Sequence, residues 1–162
     1  MARQAEIKDL NKSPQHLLRR AAQYASDVYA AEVGSKGLTH RQFAVMLAIE
    51  QNEGVSQTTL VEITGIDRST LAELVSRLVG SGMVQRRRTR QDARVNTLRL
   101  SAAGRRALQA TQPGAKSADQ LLLKALSKDQ RKEFAKALSD INQVLIEQEN
   151  RIAETAKRKS KL

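Results

Sequence analysis

The sequence predicts a mainly α-helical chain carrying one small β-hairpin, and three observations carry that expectation. Aliphatic residues and alanine dominate, while aromatics are scarce, with two Phe, two Tyr and no Trp. Such a composition favours helices packed through Leu, Ile, Val and Ala over a β-sandwich. Apolar residues recur at helical spacing in most segments, each opened by Ser, Thr or Asp and several closed by Gly. Two short β-like runs, Met83-Val84 and Asn96–Leu100, flank an arginine-dense stretch. At 162 residues the chain reads most simply as one domain.

Residues 1–12 are polar and without a clear period, and read as mobile or as an arm. Ser13-Pro14 reads as an N-cap followed by Pro at the first helical position. The first helix then carries Leu17, Leu18, Ala21, Ala22, Ala25, Val28, Tyr29 and Val33 on an alanine-rich stripe suited to another helix, and Gly34 and Gly37 end it. Thr39 caps a second helix with Phe43, Met46, Leu47 and Ile49 on one face, stopped by Asn52-Glu53-Gly54. Ser56 caps a short third helix through Leu60, Val61 and Ile63. Asp67 caps the fourth. Only Thr64-Gly65-Ile66 separates these two helices, and a short Gly-containing turn between short helices is a helix-turn-helix arrangement.

In the fourth helix Leu71, Leu74, Val75, Leu78 and Val79 fall at core-facing spacing. Arg68, Ser69, Ala72, Glu73, Ser76 and Arg77 remain on a small, polar outer face with a cation at each end. That face suits a groove, but an ordinary solvated face has the same composition. The next segment decides between them. The connection between the two β-like runs is read as holding Arg86, Arg87, Arg88, Arg90 and Arg94, with Asp92 the only acid. Such a cluster repels itself on a hairpin without a partner. A phosphate backbone removes that cost and releases condensed counterions, and a guanidinium at the tip can enter a minor groove. In the second run Leu98 and Leu100 are expected to point one way, Thr97 and Arg99 the other.

Ser101 caps a further helix, expected to be interrupted or kinked at Pro113-Gly114. Leu121, Leu122, Leu123 and Leu126 follow, and Ser127 opens the last helix. There Phe134, Leu138, Ile141, Leu145, Gln148 and Ile152 recur at spacings of 4 and 3, a heptad-like seam. It reads as dimerisation together with the first helix; packing inside the monomer competes with that reading.

Charge placement narrows the function. The net charge is +11. The segment Gly82–Arg106 holds eight Arg and one Asp, the segment Arg151–Leu162 five Lys or Arg and one Glu, and together they account for the whole surplus. Concentrated charge points to a polyanion, nucleic acid ahead of an acidic membrane surface. Absence of Cys removes disulfides, a nucleophilic thiol and Cys-based zinc, and two isolated His make no metal site. No signal-type apolar stretch and no membrane-length apolar run is present, so the expected address is cytoplasmic with no membrane role. No nucleophile–base pair, phosphate loop or paired carboxylates stand at a defined spacing, so neither catalytic residues nor a cofactor are expected.

Asp92-Ala-Arg94, with Leu98-Arg-Leu100-Ser101-Ala-Ala-Gly104 behind it, resembles the wing pattern of the MarR family of bacterial winged helix-turn-helix regulators, Ser101 standing where Thr is usual. The resemblance runs from Leu38 to Leu108. It implies a homodimer binding a pseudo-palindromic double-stranded DNA operator, usually to repress. The implied regions are an N-terminal arm and dimerisation helix (1–37), a winged helix-turn-helix DNA-binding lobe (38–108) and C-terminal dimerisation helices with a basic tail (109–162). Carried over to this sequence, Arg94 is the wing arginine and Asp92 its acidic partner, while Arg68, Ser69 and Thr70 lie nearest the bases. The residue chemistry agrees: Arg68 or Arg77 can contact guanine, Glu73 can accept from cytosine, and Ser56, Gln57 and Thr58 can touch phosphates.

The resemblance also implies an effector pocket between the DNA-binding lobe and the dimer helices, which nominates Arg19, Arg20, Tyr24, Tyr29, His40 and Phe43. Arg19-Arg20 can hold a carboxylate or phosphate, or pair with an acid across the dimer; His40 can equally be a surface residue at a helix start. The stretches His16–Arg20 and Leu38–Gln42 look similar to regulators of aromatic-acid degradation, which implies an aromatic acid or an aryl-CoA thioester as effector. The basic segment Lys157–Lys161 leaves a second reading open, a non-specific architectural DNA-binding protein.

Overall fold

A computed structural model of the chain describes residues 9–88 and 96–159. After a 3₁₀ turn at Leu10–Lys12 come α1 (Pro14–Val33), α2 (His40–Gln51), β1 (Val55–Ser56), α3 (Gln57–Thr64), α4 (Arg68–Gly80), β2 (Val84–Arg88), β3 (Asn96–Leu100), α5 (Ala102–Leu122) and α6 (Lys128–Lys159). The fold is the expected one, mainly α with a small β element. None of the described helices is long and apolar enough to cross a membrane.

The caps read from the sequence are all made. Ser13 Oγ accepts from the His16 N–H, with Pro14 in the first turn. Thr39 Oγ1 accepts from the Gln42 N–H while Gln42 Oε1 accepts from the Thr39 N–H at 2.9 Å, a reciprocal capping box. Ser56, Asp67, Ser101 and Ser127 accept from the N–H groups of Thr59, Thr70, Gly104 and Gln130. Each satisfies a donor that the first helical turn leaves orphaned. Gly65, at φ 63°, closes α3 in the left-handed region and lets the cap of α4, Asp67, stand two residues later.

The main core lies among α2, α3, α4, the sheet and the start of α5. Val45, Met46, Ile49, Leu60, Leu71, Val75, Leu78, Val84, Leu98 and Leu108 are fully buried in it. A second cluster joins α1 to α5 through Tyr29, Ala115 and Ala118, and Phe43 packs against both clusters. Leu98 and Leu100 are buried and Arg99 exposed, as alternation requires.

Four expectations are corrected. Residues 10–12, read as part of an arm, form the 3₁₀ turn. The sheet has three strands, not two, in the order β1-β3-β2: Val55 and Ser56 pair antiparallel with Leu98 and Thr97. A two-residue strand carries no periodicity, so only its pairing reveals it. Arg86, Arg87 and Arg88 belong to β2, opposite Leu98, Thr97 and Asn96, rather than to the connection. Their backbone hydrogen bonds to β3 outweigh the poor strand preference of a charge run. Finally, α5 passes through Pro113 without interruption. Pro113 removes one backbone donor, but Pro113 is exposed, and the next residue, Gly114, sits directly on the α1 backbone, where an added Cβ would lie 2.8 Å from the Glu32 carbonyl oxygen.

Close packing at Gly114 lets α1 and α5 run antiparallel in contact, and Ser117 Oγ donates to Glu32 Oε2 at 2.5 Å. The loop into α2 is tied to both helices at Leu38. Its N–H donates to Thr111 Oγ1 of α5 at 3.2 Å, and its carbonyl accepts from the Tyr29 hydroxyl of α1 at 3.1 Å. Thr111 is a buried polar residue of the core, and its own hydroxyl donates to the Ala107 carbonyl.

Beyond these contacts the chain leaves apolar surface uncovered. On α1, Leu17 and Leu18 are about half exposed; on α6, Phe134, Ile141, Val144 and Ile146 are exposed. The side chains of Leu145, Gln148 and Ile152, which complete the seam read in α6, lie outside those described.

Glycines supply a direct stability test. A Cβ at Gly104 would meet the Met83 carbonyl oxygen at 2.1 Å, whereas one at Gly80 meets nothing within 4 Å. Gly104→Ala is expected to destabilise by about 1–3 kcal/mol through overpacking. Gly80→Ala is expected to stabilise by about 0.4–1 kcal/mol through the unfolded chain. Urea denaturation of the two variants checks the opposite signs.

Candidate nucleic-acid interface

Helix α4 is orientated by its apolar stripe. Leu71, Val75 and Leu78 are buried and Leu74 and Val79 half-buried, which leaves Arg68, Ser69, Ala72, Glu73, Ser76 and Arg77 exposed. Its N-terminus is built tightly. Asp67 Oδ1 accepts from the Ser69 hydroxyl at 2.6 Å and from the Thr70 N–H at 2.9 Å. Those two hydrogen bonds, Ser69 first, hold the Asp67 carboxyl well below the usual carboxylate range. They also fix the Ser69 side chain at the lip of the helix.

The first turn of α3 faces this end of α4. Gln57 and Thr58, with Val61 between the helices, line a groove of ≈ 310 Å³ together with Arg68, Leu71 and Ala72. Ser56 is engaged as the α3 cap and shares a 3.0 Å hydrogen bond with Thr59 Oγ1. Residues from two separate helices thus stand around one concave, solvent-open surface. Arg68 makes no hydrogen bond or ion pair among the described residues. Arg77 is held by Glu73, one turn earlier, and both remain largely exposed.

Arg86 and Arg87 project exposed from β2. Their strand is registered by Val84 against Leu100, both buried, and by the Thr97 hydroxyl donating to the Arg87 carbonyl at 3.0 Å. Arg99, on the outer face of β3, is bridged to Glu53 at 3.3 Å. Arg90, Asp92 and Arg94 lie outside the described residues, as does the Arg88 side chain.

A second candidate region surrounds Tyr29. Its ring meets His40 edge-on at 5.1 Å and Phe43 at 6.4 Å. Burial, and then the nearby Asp119 carboxylate, push the Tyr29 phenol pKa up. Tyr29 and His40 are shared by two clefts. One, of ≈ 320 Å³, is lined by Ala22, Ala25, Ser26, Ala118, Asp119 and Leu122; the other, of ≈ 520 Å³, runs along Val33 to Thr39. Of the six effector candidates, Tyr29, His40 and Phe43 come together. Arg20 and Tyr24 do not: Arg20 lies nine residues before Tyr29, roughly 180° around the helix, and both are exposed away from the clefts. Arg19 is exposed one turn beyond Ala22, outside the described cleft lining. Sequence reasoning misses the contribution of α5, Asp119 above all, because a helix interrupted at Pro113 does not reach that far alongside α1. Ser26 and Ala22 are readable from Tyr29 by helical spacing.

Comparisons with known proteins fit this geometry. A family model described as the MarR family matches residues 36–95. The transcriptional regulator HosA of Escherichia coli is 35% identical over 97 residues, which cover 60% of this chain and 72% of HosA. The chain belongs to the MarR family. Among solved structures it is similar to the PcaV transcriptional regulator of Streptomyces coelicolor in complex with its natural ligand, with a TM-score of 0.79, 32% identity, and coverage of 86% of this chain and 98% of PcaV. It is equally similar in shape to the transcriptional repressor CouR bound to a 23-mer DNA duplex, with a TM-score of 0.79, 26% identity, and coverage of 86% and 99%. Within this MarR-family chain, α3 and α4 are the helix-turn-helix and β2–β3 the wing strands.

Asp67 gives a pH test of the α4 start. Its pKa is lowered on folding, so the stability it contributes is present above the unfolded value of about 3.9 and is lost as pH falls below it. Asp67→Ala is therefore expected to melt at lower temperature than wild type near neutrality, with the gap narrowing progressively as pH falls from about 4 toward the depressed folded value. A gap that stays constant into acid would show that the carboxylate charge contributes nothing.

Proposed function

We propose that this MarR-family chain is a homodimeric, sequence-specific DNA-binding transcriptional regulator, acting as a repressor released by a small ligand. The observation that carries the DNA-binding part is the groove shared by Gln57, Thr58 and Arg68, beside an α4 face of small and polar side chains. In this reading α4 enters the major groove. Arg68, Ser69 and Thr70 lie nearest the bases, and Ser56, Gln57 and Thr58 contact phosphate. Arg86, Arg87, Arg88, Arg90 and Arg94 of the wing engage the flanking backbone or minor groove, with Asp92 steadying the tip.

Dimerisation is supported by the uncovered apolar surface of α1 and α6. Two copies place two α4 helices on one duplex, and half-sites about 34–36 Å apart accept both. The effector reading rests on the Tyr29–His40–Phe43 cluster and its clefts between α1, α2 and α5. An aromatic acid, free or as its CoA thioester, is the proposed class: aromatic rings supply edge and face contacts, and Arg19 stands outside to meet an anion. Binding there favours one crossing of α1 and α5, and hence one spacing of the two α4 helices.

Arg68→Ala and Arg87→Ala are each expected to weaken duplex binding and to reduce the salt slope by about one unit for every phosphate the variant no longer neutralises. Fluorescence anisotropy against duplexes selected from a random pool measures both. Selected and random duplexes should differ in affinity by about 10³ or more at physiological salt; equal affinity would favour a non-specific architectural protein instead. For the effector, benzoate and benzoyl-CoA are the probes in a thermal-shift assay. A ligand present at about 100 times its dissociation constant adds roughly 2.7 kcal/mol to stability. His40→Ala should diminish that shift without altering duplex binding, and a shift that survives unchanged places the ligand elsewhere.

A further inference from the structure

The outer face of α4 pairs two side chains that base chemistry treats as separate contacts. Glu73 and Arg77 are one turn apart, at i and i+4, and the guanidinium is bonded to the Glu73 Oε1 oxygen. Their side chains are 64% and 72% exposed, so the pair is open to exchange with a ligand. Other charges near this face are differently engaged. Asp67 is occupied by Ser69 and Thr70 at the cap. Arg68 is free of partners among the described residues and lies five positions from Glu73, roughly 140° around the helix. Ala72 and Ser76 flank the pair with small side chains. Glu73 therefore has one cation within reach along the helix, and that cation is Arg77.

We infer that the Glu73–Arg77 pair is a latch that sets the sequence specificity of α4, by withholding Arg77 from DNA unless a base pair engages Glu73. The inference rests on the DNA-binding reading given above. On a duplex offering only phosphates, a released Arg77 gains a backbone contact but leaves the Glu73 carboxylate without a donor beside other anions. The latch then stays shut. Where a cytosine amino group reaches Glu73, the carboxylate gains a new donor and Arg77 is freed for guanine O6 and N7 or for phosphate. Correct and incorrect sequences thus differ by the engagement of both side chains rather than of one. The acid contributes to discrimination chiefly by making the wrong site worse.

The size of the effect follows from counterion release. One additional phosphate interaction changes the binding constant as salt concentration to the power of about −0.9, which at ~0.15 M corresponds to about fivefold. Glu73→Gln is therefore expected, for each α4 engaged, to tighten binding to a fixed random-sequence duplex about fivefold and to steepen the salt slope by about one unit. The gain should be smaller in the Arg77→Ala background, where Glu73→Gln relieves only the repulsion between a bare carboxylate and phosphate and frees no guanidinium. Selection from a random pool should show that Glu73→Gln no longer prefers one base at one position per half-site. Melting temperatures of all four proteins control for folding. An unchanged or weakened random-duplex affinity in Glu73→Gln overturns the latch. So does an equal gain with and without Arg77, which would make Glu73 a simple repulsive charge. A wild type that binds selected and random duplexes alike would instead sink the regulator reading, and the random-duplex cycle would still decide whether Glu73 restrains Arg77.

Discussion

Burial of Leu71, Val75 and Leu78 is the constraint on which the proposed interface depends. Each such side chain contributes about 1.5–3 kcal/mol when removed from water. An exposed ion pair at i,i+4 contributes about 0.3–0.5 kcal/mol. The apolar stripe therefore decides the rotation of α4 about its axis, and the polar side chains take whatever direction remains. Leu98 and Leu108 lie in the same core. The strand that supports the wing and the helix that leaves it are thus seated on the atoms that orientate α4.

The second cluster is of a different kind. Tyr29, Ala115 and Ala118 are few, and the packing around them depends on close backbone approach at Gly114 rather than on large apolar side chains. Small residues permit contact without locking it. Clefts on either side of Tyr29 follow from the same sparseness, because alanine leaves volume that a leucine would fill. The well-filled part of the molecule is the one we assign to DNA, and the loosely filled part is the one we assign to a ligand.

Features governed by neighbours in sequence are legible in the sequence. The six helix caps, the Gly65 turn, and the core-facing positions of α4 depend on residues three or four apart, and all stand where the sequence places them. Features settled by distant contacts are not. Val55-Ser56 becomes a strand only because β3 offers an edge. Arg86–Arg88 look like a loop by charge and become strand by pairing. Pro113 looks like a break, and its helix persists because the proline is exposed and Gly114 fits against α1. At the interface, the grouping of Gln57 and Thr58 with Arg68 follows from the helix-turn-helix spacing. The pairing of Glu73 with Arg77 is a local i,i+4 relation, available in the sequence, yet base chemistry alone treats the two as separate contacts. Asp119 beside Tyr29 needs the tertiary structure, since α5 has first to be recognised as continuous.

The peptide of Leu38 has a mechanical consequence. Its N–H is held by Thr111 of α5 and its carbonyl by Tyr29 of α1, and the next residue is the cap of α2. Sliding α1 along α5 must therefore either drag the start of α2 with it or break one of two buried hydrogen bonds. Leu38 behaves as a pivot pin through three helices. Because α2 belongs to the core that seats α4, the Leu38 peptide joins the α1–α5 crossing to the DNA-reading lobe by hydrogen bonds, alongside the packing of Phe43 against both clusters.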